Sequence, residues 1–207
     1  MHLGGGRTGK QVLRVDSLGI RGIFEPFSTK IYFGERIGVV GPNGSGKSHF
    51  LRLVAGENIR HDGSTALGAR VVPGYFSQLH DRPDLAERPL LNVLMSKGLE
   101  RGAAMVMLKR YELQESATIP FGLLSGGQQA RFQILMIETD APTMLLLDEP
   151  TDNLDVDSAQ ALEAALSEYE GTVVAVTHDR WFMYLLDRFL IFNADGTVRE
   201  SLDSPYV

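Results

Sequence analysis

The chain has 207 residues, a formal net charge of −6 from 20 basic and 26 acidic side chains, and no cysteine. That length suits one large domain, which buries roughly 70% of its unfolded surface and needs no covalent staple. The charge argues against a surface that is basic throughout, and the lack of cysteine excludes disulfides and thiolate metal sites.

Residues 1–10 are glycine-rich and polar and read as a flexible lead-in; residues 11–207 read as a single domain. The start of the chain lacks the apolar core of a secretory signal, so the sequon Asn43-Gly44-Ser45 carries no meaning here. No run approaches the roughly 18 apolar residues of a membrane span, so no direct membrane insertion is expected. Val12 to Val15 and Arg36 to Val40 read as strands, the second running into a glycine loop. Gly46 to Ala55 reads as a helix with Phe50, Leu51, Leu53 and Val54 as its apolar positions. Val71 to Phe76 is a further short strand. From about residue 79 to 131 the pattern changes to short helical pieces broken by prolines, with Asn92 to Lys97 and Ala103 to Tyr111 the best formed. This stretch reads as a helical subdomain inserted in an α/β core. Met144 to Leu147 is an apolar run ending in Asp148-Glu149, as a buried parallel strand should be. Asp157 to Tyr169 has a helical face, and Thr172 to Val176 and Phe189 to Phe192 read as the last strands. Strands alternating with helices imply an α/β fold with a mostly parallel sheet.

Gly41-Pro42-Asn43-Gly44-Ser45-Gly46-Lys47-Ser48 fits G-x-x-x-x-G-K-[ST], with a strand before it and a helix after it. The glycines let backbone N–H groups turn inward onto phosphate oxygens, and the helix N-terminus adds partial positive charge. Lys47 then places a cation on the β- and γ-phosphates, and the Ser48 hydroxyl can ligate Mg²⁺. Gly4 to Lys10 matches the first seven positions as well. There Gln11 replaces the hydroxyl residue and no strand precedes, so that copy reads as lead-in. Downstream, the buried run delivers Asp148 to the edge of the sheet where ligands sit in such folds, and Asp148 can hold Mg²⁺ through water. Glu149, next in sequence, can act as general base on the attacking water.

Leu124-Ser125-Gly126-Gly127-Gln128 places two glycines and a hydroxyl before a helix, a second anion-binding turn. One domain rarely needs two phosphate readers, so this turn suits a nucleotide held by another domain. Here the chain resembles the ATP-binding cassette (ABC) family, whose signature is this pentapeptide. The resemblance covers nearly the whole chain. It implies a P-loop core with a mostly parallel sheet, an antiparallel N-terminal β subdomain and an inserted helical subdomain. It also implies ATP and Mg²⁺ as ligands, and ATP hydrolysis by two cassettes packed head to tail, the partner being a second cassette of the same parent chain or a second copy of this one. Residue by residue it implies that Gln78 resembles the glutamine that meets Mg²⁺ and water, and that Asn153-Leu154-Asp155 resembles the loop touching the opposite cassette. His178 resembles the switch histidine on the γ-phosphate. His49 stands where threonine often meets the α-phosphate, and the adenine-stacking aromatic falls near Leu18, so weak base stacking is expected.

Two further strings resemble the F subfamily: Asp148-Glu149-Pro150-Thr151-Asp152-Asn153-Leu154-Asp155 and Thr177-His178-Asp179-Arg180-Trp181-Phe182. Asp152 and Asn153 depart from the Asn-His usual there. The insert between Gln78 and Ser125 also looks short for docking a permease. The F-type resemblance implies a cytoplasmic ATPase with two cassettes in one chain, of which this would be the second, acting on the ribosome or conferring antibiotic resistance. Two other readings are kept: the ATPase subunit of a transporter, and a nucleotide-gated interaction module with negligible turnover.

Overall fold

The computed structural model describes residues 9–76, 83–152 and 156–203. In chain order these hold β1 (Gln11–Ile20), β2 (Phe24–Tyr32), β3 (Arg36–Val40), α1 (Lys47–Val54), β4 (Asp62–Leu67) and β5 (Pro73–Phe76). There follow α2 (Pro83–Ala86), α3 (Leu90–Ser96), α4 (Arg101–Arg110), α5 (Gly126–Asp140), β6 (Met144–Asp148) and α6 (Val156–Ser167). The chain closes with β7 (Thr172–Val176), α7 (Arg180–Met183), β8 (Arg188–Phe192) and β9 (Val198–Ser201). Gln78 and Asn153-Leu154-Asp155 lie outside the described residues, as do residues 1–8 of the lead-in.

The apolar runs form the middle of a sheet ordered β5-β6-β7-β3-β8-β9, parallel except for β9. Successive side chains of a strand point to opposite faces, so each buried run feeds two cores. Met144, Leu146, Val174 and Val176 pack with β1, β2 and α1, while Leu145, Leu147, Val173 and Ala175 pack with α3, α4, α5 and α6. A second sheet, ordered β2-β1-β4 and antiparallel, lies over the first of these cores. The α/β class, the parallel sheet and the antiparallel N-terminal sheet are therefore as the sequence implied.

Several boundaries differ from the sequence reading for local reasons. β1 runs on to Ile20 where the alternation had suggested an end at Val15, because Ser17 at φ 47° and a register shift put the later apolar residues back in phase. β2 escapes a pattern reading because Pro26 interrupts it, although Phe24, Phe27, Thr29 and Ile31 all face inward. β4 and β9 are short, mostly polar outer strands with little periodic signal. The helix expected from Asp157 to Tyr169 stops at Ser167. Tyr169 lies beyond it, buried, with its hydroxyl donating to the Pro142 carbonyl at 2.8 Å.

What positions the site is the shared end of three strands. β3 passes directly into the glycine loop, β6 ends at Asp148, and β7 ends at Val176, which lies opposite both Val39 and Asp148. Beneath the loop sit Phe24, Phe27, Phe50 and Phe192, with ring centroids 5.3–5.9 Å apart. Such pairs are worth about 0.5–1.5 kcal/mol each beyond the area they bury.

Candidate active site

Two glycines of the loop have no substitute. A Cβ on Gly41 would lie 2.1 Å from the Phe192 carbonyl oxygen, and one on Gly46 would lie 2.6 Å from the Phe24 ring. Gly41, Gly44 and Gly46 all have positive φ, at 146°, 78° and 97°. The loop therefore rests directly on the aromatic floor, and α1 begins at Lys47 with no side-chain cap on its first turn. Those first-turn N–H groups have no partner within the helix and suit an anion. Ser45 adds a buried hydroxyl with no hydrogen-bond partner.

Lys47 is only 7% exposed and folds back, donating to the carbonyls of Gly41 at 2.8 Å and Pro42 at 2.9 Å. Burial lowers its amine from the usual lysine value, against the pull of Glu149 and Asp148, which favour the charged form. The Ser48 hydroxyl donates to Asp148 Oδ1 at 3.1 Å. Thus a hydroxyl from α1 and a carboxylate from β6 meet beside the cation. Hydroxyl and carboxylate oxygens are the donor types that Mg²⁺ takes, together with phosphates and water, so the residues present fit that ion. Among the described residues no group of three or more His, Asp or Glu is placed to hold a metal ion by itself.

Glu149 follows at φ 48°, a left-handed backbone unusual for a residue with a side chain. Its own N–H donates to the Val176 carbonyl at 2.9 Å. That bond to the neighbouring strand holds the turn, which swings the carboxylate across to His178. The His178 backbone N–H donates to Glu149 Oε2 at 3.2 Å, and His178 Nε2 lies 3.2 Å from Oε1. Burial raises the Glu149 carboxyl above its ordinary value; His178 opposes this, and Asp152 reinforces it. A raised carboxyl is a better proton acceptor, which suits it to pulling a proton from water.

Lys47, Ser48, His49, Asp148, Glu149 and His178 all border one cleft of about 440 Å³, with Asn43 and Gly44 on its rim. The sequence-predicted residues of the phosphate loop and the acidic pair are thus brought together. Leu18 is not among them. It is fully buried, opposite Phe27 on β2, and its side chain presents no stacking face. The residues actually touching the loop from that side are Ile23 and Phe24, beside a second cleft of about 450 Å³ that also meets Arg21 and Glu25. The sequence reading also missed Tyr75, whose hydroxyl donates to Asp148 Oδ2 at 3.1 Å. The signal available was its place three residues before Gln78, near the end of the strand read from Val71 to Phe76.

The pentapeptide Leu124–Gln128 lies apart from this cleft. Ser125 caps α5: its hydroxyl accepts from the Gln128 N–H at 3.3 Å, and its own N–H donates to Gln128 Oε1 at 3.0 Å. The Gln128 amide also donates to the Ser116 hydroxyl at 3.2 Å, pinning the turn to the helical layer. Because Ser125 Oγ is used as an acceptor, its O–H remains a donor to whatever faces it. Ser125 and Gly126 are exposed, as is Leu123 beside them.

Residues 24–152 match the family model described as ABC transporter. The chain belongs to the ATP-binding cassette family. As a cassette of that family it is an ATPase, and it binds ATP. It is 48% identical to an antibiotic resistance protein of Mycobacteroides abscessus, over all of this chain and 42% of that protein. It is 32% identical to ABC transporter F family member 5 of Arabidopsis thaliana, over 94% of this chain and 29% of the relative. It is also 32% identical to the energy-dependent translational throttle protein EttA of Escherichia coli, over 86% and 34%. F-type proteins thus stand among the relatives of this ABC cassette, in line with the strings around Asp148 and Thr177. The chain spans less than half the length of these curated relatives. Among solved structures, an ATP-bound bacterial ABC exporter superposes with a TM-score of 0.77 at 19% identity, over 96% of this chain and 40% of that one. The ADP form of an isolated transporter cassette superposes with 0.66 at 19%, over 93% and 91%. These share its fold. Among the described residues no helix is long and apolar enough to cross a membrane.

Proposed function

We propose that this cassette hydrolyses ATP as one half of a head-to-tail pair, within an F-type protein that acts on the ribosome in the cytoplasm. The observation that carries the chemistry is the Glu149–His178 pairing at the mouth of the cleft that holds Lys47. In this reading residues 11–207 form one cassette and the stretch from about 79 to 131 its helical subdomain.

Pro42, Asn43, Ser45, the loop glycines and the first turn of α1 hold the phosphates. Lys47 exchanges its carbonyl partners Gly41 and Pro42 for phosphate oxygens, and His49 lies toward the α-phosphate. Ser48, Asp148 and Gln78 would hold Mg²⁺, which neutralises charge on the β- and γ-phosphates when bound. Glu149 takes a proton from water as the water oxygen bonds to the γ-phosphorus. The bond from that phosphorus to the bridging oxygen breaks, and ADP leaves. His178 holds the Glu149 carboxylate and, in this reading, reaches the γ-phosphate. Leu124, Ser125, Gly126, Gly127 and Gln128 serve the ATP of the partner cassette, with Asn153, Leu154 and Asp155 along the shared seam. Ser125's exposed O–H, on a turn that shares no residue with the cleft around Lys47, supports that division.

The ribosomal role is supported by the relatives' names, one an antibiotic resistance protein and another a translational throttle, and by the F-type strings. The net charge of −6 opposes ribosomal RNA, so contacts to it would have to come from local basic residues and other parts of the protein. Binding should then weaken steeply as salt rises. The test is pelleting of the full-length protein carrying Glu149→Gln with ribosomes at low salt and ATP, alongside membrane flotation. Recovery with ribosomes is expected. Recovery with membranes alone would replace this reading with that of a transporter subunit.

A further inference from the structure

Asp148 has two carboxylate oxygens, and the structure divides them between different partners. Oδ1 accepts from Ser48 of α1, and Oδ2 accepts from the hydroxyl of Tyr75 on β5, each at 3.1 Å. Tyr75 reaches it because β5 runs parallel to β6, with Tyr75 opposite Leu146 and Phe76 opposite Leu147. Arg52 of α1 lies close enough to Tyr75 and Asp148 for its positive charge to act on both. Arg52 follows Ser48 by four residues, so both project from one face of the helix. Ser48 and Tyr75 thus hold Asp148 from two sides, with Arg52 beside them one turn further along α1. A phenylalanine at 75 would fill the same space; what the hydroxyl adds is its bond to Asp148.

We propose that Tyr75 is a positioning residue for the metal-binding carboxylate of Asp148. A carboxylate on a short side chain can rotate and offer either oxygen. With Oδ2 tied to the phenol, Oδ1 is the oxygen left turned toward Ser48 and the bound ion. The Tyr75–Asp148 bond, with the Arg52 charge beside it, couples the metal-binding carboxylate to the strand that leads in sequence to Gln78. Groups that hold a ligand from behind typically contribute 10–100-fold to metal affinity or activity when removed. This inference rests on the assignment of Asp148 to the metal, and its test separates the two.

The experiment measures Mn²⁺ binding to the 207-residue chain in the presence of ATP, by loss of the free-ion electron paramagnetic resonance signal. ATP affinity without metal is measured in parallel in EDTA. Tyr75→Phe should weaken Mn²⁺ by about 10-fold or more while leaving metal-free ATP affinity unchanged. Arg52→Gln, further from the carboxylate, should shift Mn²⁺ the same way by less, and it tests the same cluster should Tyr75→Phe fail to fold. Asp148→Asn is the control on the underlying assignment. If Asp148→Asn weakens Mn²⁺ and both Tyr75→Phe and Arg52→Gln leave it unchanged, the positioning role is wrong and the metal assignment stands. If Asp148→Asn changes nothing, the metal assignment fails and this inference with it. Equal loss of ATP affinity with and without metal in Tyr75→Phe would mean the residue only supports the fold, and would likewise overturn the proposal.

Discussion

The two anion-binding turns of this chain are built in opposite ways. At the phosphate loop, three strand ends, an aromatic floor and α1 converge, so Lys47 is buried and Ser48, Asp148, Glu149 and His178 all have partners inside the chain. At the signature turn one helix begins on the surface, and the Ser125 hydroxyl accepts within its own capping box. The first holds a reactive set; the second offers donors and nothing to react with them. A buried set can tune its groups by desolvation, as Lys47 and Glu149 show. An exposed turn has only hydrogen-bond geometry and a helix end to offer. On the proposed reading, the chain carries one reactive pole and one half-site for a partner.

The largest effect is expected at the buried pole. Glu149→Gln keeps the shape and the bond from the His178 N–H but cannot take a proton, so hydrolysis should fall by about 10²–10⁴-fold while ATP still binds. Phosphate release together with nucleotide binding checks this; near-normal turnover would remove Glu149 from the role of base. Lys47→Ala should act on binding instead. It deletes charge-assisted bonds of about 1.5–3 kcal/mol, so ATP affinity should drop by roughly 10- to 150-fold. Isothermal titration of the two variants would then split chemistry from binding within one cleft.

Much of the buried pole was legible in the sequence, because buried parallel strands leave long apolar runs and a loop with Gly41 and Gly46 against backbone and ring atoms tolerates nothing else. The acidic pair could be read for the same reason: Asp148 and Glu149 end such a run. What could not be read depends on which strands become neighbours. Tyr75 meets Asp148 only because β5 pairs with β6, and Glu149 meets His178 only because its backbone turns at φ 48°. Leu18 shows the converse. Placed near the base site by its position in the chain, it is carried into the core by the bulge at Ser17. Leu18→Tyr should therefore not tighten ATP. It should overpack the core at a cost of about 1–3 kcal/mol, read by denaturant unfolding; tighter ATP binding with no loss of stability would restore the stacking idea.

At the exposed pole the expected effects are smaller and belong to two different molecules. Ser125→Ala removes the cap of α5, which typically costs about 1 kcal/mol, equivalent to roughly 2–4 °C in a chain of this size. Its own ATP affinity should not change, because the cleft shares no residue with the turn. Hydrolysis at a partner's cleft should fall, however. Mixing Ser125→Ala chains with Lys47→Ala chains tests this. The only cleft able to bind ATP well then faces an intact signature, so activity should exceed that of either variant alone. If the mixture is no better than its parts, the two turns do not serve one another across a pair.

The smallest effect expected is a stability difference that depends on pH. Burial raises the Glu149 carboxyl above its ordinary value, so the folded state holds that proton more tightly than the unfolded chain does. The sign follows directly: the stability linked to the protonated form is fully present below the unfolded value of 4.5 and is lost as pH rises through the higher folded value. Above that folded value the nucleotide-free chain carries the penalty of a charged, half-buried carboxylate, which the amide of Glu149→Gln avoids. Without nucleotide the variant should melt higher than the parent at pH 8, by less than the roughly 2–4 °C that 1 kcal/mol makes in a chain of this size. The gap should narrow as pH falls toward 5. Paired thermal melts across that range, on chains stripped of nucleotide and metal, read the difference directly. A gap that widens as pH falls would mean that the bonds to His178, and not burial, set the state of Glu149, and the contrast between a desolvated pole and an exposed one would lose its clearest thermodynamic mark.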